Sequence, residues 1–144
     1  MATNPVPPLP PARIPGPPAV LVIEPDKPWS EAVCGAFREK GLAPAPAADA
    51  EEARWRLHER RYDVLVLSTA IGDIALESLM ADLHGHGVPP PVLLIEDRRD
   101  GAASEAWRFL RAARTLRRPC RVRDVIDAAL VLVGRAGTGR AAMA

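Results

Sequence analysis

From residue 19 onward, short apolar runs alternate with stretches of helical period. Ala19–Ile23 (AVLVI), Tyr62–Leu67 (YDVLVL) and Pro91–Ile95 (PVLLI) are largely unbroken apolar segments, the pattern of strands covered on both faces. Trp29–Gly41 puts Trp29, Ala32, Val33, Ala36 and Phe37 on one helical face, with Gly41 as the stop. Leu42–Ala48 stands where a strand belongs but carries Pro44 and Pro46, which fit only an edge strand whose missing donors face outward. Asp49–Arg61 opens with an N-capping aspartate and early acids. Three more helices follow: Ile74–His84 on Ala75, Leu76, Leu79, Met80 and Leu83; Ala102–Ala113 on Ala103, Ala106, Trp107 and Leu110; Val122–Gly134 on Val125, Ile126, Ala129, Leu130 and Leu132 or Val133. Thr115–Arg117 reads as a short fifth strand. This alternation predicts an α/β fold with a parallel sheet doubly wound by helices. An edge position for the second strand predicts the flavodoxin-like order 2-1-3-4-5.

Composition bounds this picture. A chain of 144 residues, 48% hydrophobic, supports one domain with a core of its own. Half of its 16 prolines fall within residues 1–18, which predicts an extended, solvated tail. That tail includes PLPPAR (Pro8–Arg13), a pattern some proline-recognition domains read. The expected division is a tail over 1–18, a domain over 19–135 and a flexible end over 136–144. A net charge of +1 points to neither nucleic acid nor a membrane surface. Lys27 and Lys40 are the only lysines, and the arginine, alanine, proline and glycine usage matches a high-GC bacterial genome. No secretory signal and no apolar run of membrane-spanning length is visible, and Cys34 and Cys120 read as reduced thiols, so the expected compartment is the cytoplasm.

The candidate chemistry centres on Ser68, at the end of the third strand. In open α/β sheets that edge is where ligands bind. Serine needs a base to become a nucleophile, and none of the three histidines falls there. His84 and His86 make half a metal site at most, with His58 on a distant helix. EPDKP follows the first strand in place of a glycine-rich phosphate loop. These residues predict no enzyme, no bound metal and no cofactor. A cluster of Arg108, Arg111, Arg114, Arg117, Arg118, Arg121 and Arg123 could meet acidic protein or phosphate groups. Trp29, Trp55 and Trp107, at helical spacing, read as packing residues.

From about Ala19 to Gly134 the sequence resembles the receiver domains of two-component response regulators. LVIEPD is similar to the acidic end of a receiver's first strand, and GLAPAPAADAEEA to its second strand and following helix. YDVLVLS is similar to the third strand, PVLLIE to the fourth, and LRRPC to the fifth with its lysine–proline pair. The resemblance implies a site that takes a phosphoryl group onto an aspartate beside Mg²⁺. Here Ser68 stands at the acceptor position, with Thr69 beside it. The paired acids become Glu24 and Pro25, with Asp26 one further on; the switch hydroxyl becomes Glu96, and the lysine becomes Arg118. That is a poor oxygen set for a hard cation, and Glu96 would repel a phosphate. The expectation is a stand-alone pseudo-receiver, a phosphorylation-independent module of bacterial signalling that binds a protein partner. The resemblance places that contact on the arginines at 108, 111, 114, 117 and 121. A homodimer stays open. Glu96 and Arg118 are expected to pair across the vacated pocket. The alternative is a switch worked by phosphorylation of Ser68 or Thr69, or by a small ligand in that pocket.

Overall fold

The computed structural model describes residues 16–85, 89–97 and 112–143, and side chains as far as Gly134. The elements are β1 (Ala19–Ile23), α1 (Lys27–Glu39), β2 (Ala43–Ala47), α2 (Ala50–Glu59), β3 (Val64–Ser68), a 3-10 turn (Thr69–Ile71), α3 (Asp73–Gly85), β4 (Val92–Glu96), β5 (Arg114–Arg117) and α4 (Val122–Met143). All four strand pairings are parallel, in the order β2-β1-β3-β4-β5. This is the flavodoxin-like arrangement expected from the edge prolines.

Strand side chains alternate between the two faces. Leu21, Ile23, Leu65, Leu67 and Leu94 pack with Ala53, Leu76 and Leu79, so α2 and α3 cover one face. Val20, Val22, Val64, Val66, Leu93 and Ile95 pack with Val33, Phe37, Val125 and Ala129, so α1 and α4 cover the other. Both faces are dry, which is why the strand sequences show no polar alternation.

Local signals set the helix starts. The Asp26 side chain accepts from the Trp29 N–H at 3.3 Å, and Pro28 sits in the first turn. The Asp49 carboxylate accepts from the Glu52 N–H at 2.8 Å, while the Glu52 carboxylate reaches back to the Ala48 N–H at 3.0 Å. After α1 the chain turns at Gly41, whose φ of 82° is open to a residue without a Cβ.

Two expectations change, and a third falls mostly beyond what is described. The last helix does not stop at Gly134 but runs to Met143, through the segment expected as a flexible end. Single glycines cost a helix only about 1 kcal/mol each against alanine, and the intervening alanines and arginines are good helix formers. Trp55 is 57% exposed and lies outside the core. Alanines at 50 and 53 do the inward packing of α2, leaving the indole beside the Arg56 guanidinium on the outer face. The helix expected over 102–113 and His86 fall largely outside the described residues; Ala113 is described, and its N–H already joins the sheet at the Val92 carbonyl.

Candidate regulatory pocket

The candidate site lies where β1, β3 and β5 end. The ladder runs one residue past two of these strands: the Glu24 N–H donates to the Ala47 carbonyl and the Arg118 N–H to the Glu96 carbonyl, each at 2.9 Å. The pleat therefore still decides which way those side chains point. Glu24 follows Ile23 and turns to the α1/α4 face; Arg118 follows the register of Leu116 to the same face.

There the two meet. Arg118 Nη2 donates to Glu24 Oε1 at 2.5 Å, with the Glu24 side chain 1% and the Arg118 side chain 21% exposed. The guanidinium lies 4.5 Å from the centroid of the Trp29 ring. Trp29 reaches this place because the Asp26 cap starts α1 immediately after β1. Glu24 Oε2 and Arg118 Nε, both buried, have no partner in the described structure. Residue 118 joins Pro119 through a cis peptide.

Ser68 and Thr69 are both buried and both occupied. Ser68 Oγ accepts from the Ala70 N–H at 3.1 Å and caps the 3-10 turn. Thr69 Oγ1 accepts from the Asp97 N–H at 2.9 Å, tying the end of β3 to the end of β4. The turn closes at Gly72, whose φ of 97° and ψ of 154° suit glycine alone.

The expected Glu96–Arg118 pair is not present. Glu96 pairs instead with Arg117, Oε2 to Nε at 3.4 Å. Glu96 and Arg117 are register partners on one face of the sheet, while Arg118 is turned to the other. Asp26 also departs from its expected role: it is exposed and caps α1. Of the expected pocket residues, then, the structure joins Glu24 to Arg118, places Ser68 and Thr69 at the neighbouring strand end, and gives Asp26 and Glu96 other partners. The sequence reading missed Trp29 as a pocket residue; its signal was the N-capping aspartate three positions earlier.

Burial pushes both thiols, Cys34 and Cys120, above their usual range. Both are free, Cys34 buried and Cys120 half-buried beside Arg118. No group of three metal-ligating side chains occurs among the described residues. Of the arginines expected to face a partner, Arg108 and Arg111 lie outside the described residues, while Arg114, Arg117 and Arg121 are exposed.

No protein-family model matches the sequence. Comparison with curated proteins gives no match. Solved structures do match. The signal receiver domain of a Luxo repressor protein from Vibrio parahaemolyticus superposes with a TM-score of 0.76 over 89% of this chain and 98% of its own, at 12% identity. A CheY-like receiver domain protein from Methanospirillum hungatei gives 0.75 over 86% and 99%, also at 12%. The receiver domain of Francisella response regulator 1452 gives 0.68 over 83% and 98%, at 22%. The fold is that of the response regulator receiver domains. At the sheet edge described above, the ends of β1 and β5 are joined by the Glu24–Arg118 ion pair. No helix among the described residues is long and apolar enough to cross a membrane.

Proposed function

We propose that this chain is a pseudo-receiver: a signalling module of receiver fold that runs no aspartyl-phosphate cycle and works by binding a protein partner. The observation that carries this reading is the Glu24–Arg118 pair, buried under Trp29 at the sheet edge. A phospho-receiver needs an acceptor carboxylate and oxygens free to bind a hard cation. Here the acceptor position holds a buried serine that caps its own turn. One oxygen of Glu24 is held by a guanidinium, and Asp26 is occupied in capping α1. Arg118 engages Glu24 directly, so an oxygen that would face a cation is held by a side chain of the chain itself.

In this reading the module is not an enzyme and binds no cofactor. It serves a bacterial two-component pathway in the cytoplasm, and its output is recognition through the exposed arginines around β5. Direct modification of Ser68 or Thr69 is a weaker reading, since both side chains are buried, Ser68 Oγ capping its own turn and Thr69 Oγ1 tying β3 to the end of β4. The test is incubation with acetyl phosphate and Mg²⁺, followed by intact-mass measurement. The expected result is no phosphoryl adduct; an acid-stable or acid-labile adduct at stoichiometric yield would overturn the reading.

A further inference from the structure

The two edges of the sheet are finished differently. At β2, Ala43 donates to the Pro18 carbonyl and Ala47 accepts from Glu24, so these residues face β1 while Pro44 and Pro46 face outward. Proline has no donor to offer there, and the Pro46 carbonyl is taken by Arg56 Nε at 2.9 Å. That edge is closed to a further strand.

The β5 edge is not closed in this way. The register Ile95↔Leu116 and Glu96↔Arg117, followed by the Arg118 N–H on the Glu96 carbonyl, turns the main chain of 116 and 118 toward β4. The main chain of Thr115 and Arg117 therefore points away from the sheet. Both residues are exposed, and among the described residues no strand pairs with that side. Arg114, Arg121 and Arg123 are exposed in the same segment. Of the nearby acids, Glu96 contacts Arg117, and the Asp124 carboxylate accepts from the Arg121 N–H at 3.0 Å.

We propose that the outer edge of β5 docks an extended acidic segment of a partner protein, added as a sixth strand. This rests on the protein-interaction reading above and names its mode. Main-chain groups that no strand among the described residues pairs provide the template, and the surrounding arginines select carboxylates on the incoming strand. A second copy of this chain does not fit, because β5 against β5 sets arginine opposite arginine.

The full chain is titrated with a labelled synthetic peptide of alternating glutamate and valine, read by fluorescence anisotropy. Thr115→Pro deletes one outward N–H while leaving every charge and the pairing with β4 intact; Thr115→Ala is the control. The expected result is binding weakened about tenfold by Thr115→Pro and hardly at all by Thr115→Ala. Amide exchange in the unaltered protein gives a second readout needing no variant: peptide should slow exchange at Thr115 and Arg117. Equal binding by both variants, with no such protection, would mean that charge alone holds the peptide, and the edge proposal would fall. So would an absence of peptide binding. Neither outcome touches the pseudo-receiver reading, which fails instead on phosphoryl uptake.

Discussion

Glu24 is a carboxylate in a place that ordinarily disfavours one. Its charge is tolerated because Arg118 meets it and Trp29 covers the guanidinium with its π face, a contact worth about 0.5–2 kcal/mol. Burying both ions is costly, and two of their polar atoms have no partner, so the pair is a weak source of net stability. The role proposed for it is to fix one arrangement at the sheet edge. Removing one partner strands the other charge: Glu24→Ala should lose about 3–5 kcal/mol in urea unfolding. Replacing both at once, Glu24→Leu with Arg118→Met, should come out near neutral or more stable. A single replacement costing under about 1 kcal/mol would mean the pair is solvated in solution and holds nothing. The thiols give a separate check. Burial raises Cys34 above its usual range, so its reactive thiolate is scarce at neutral pH. Iodoacetamide should label half-buried Cys120 well before Cys34; the reverse order would put Cys34 on an accessible surface.

At the scale of elements, the two sheet edges differ through two prolines. Pro44→Val with Pro46→Val restores outward donors on β2 and should turn a blunted edge into a sticky one. Sedimentation velocity should then show association rising with protein concentration beyond that of the parent chain; identical profiles would mean the prolines do not guard the edge. Those same prolines made the edge position legible in the sequence, and through it the strand order. The unbroken apolar runs fixed β1, β3 and β4 within a residue or two, because a strand buried on both faces leaves no other choice. The site was legible as a set of positions but not as a set of contacts. Arg117 and Arg118 are neighbours in the chain, yet the pleat sends them to opposite faces, and a one-residue difference decides which of them Glu96 can reach. Helix capping hid two more facts: Asp26 is engaged at α1, and that engagement delivers Trp29 to Arg118. Trp55 escaped for a plainer reason, since α2 buries only small residues and its register favours Ala50 and Ala53.

At the scale of the whole molecule, the proposed function rests on an ion pair of the chain's own residues, Glu24 with Arg118, at the sheet edge. The proposed pseudo-receiver should not answer to a phosphoryl group, whereas a ligand binding only the folded state must raise the unfolding midpoint as its concentration passes its dissociation constant. The most direct measurement is thermal unfolding of the full chain with and without Mg²⁺ plus beryllofluoride, a mimic of aspartyl phosphate. The midpoint is expected to stay the same at every concentration. A saturable rise would contradict it, and would mean that a carboxylate such as Glu24, Asp26 or Asp73 forms a working acceptor site.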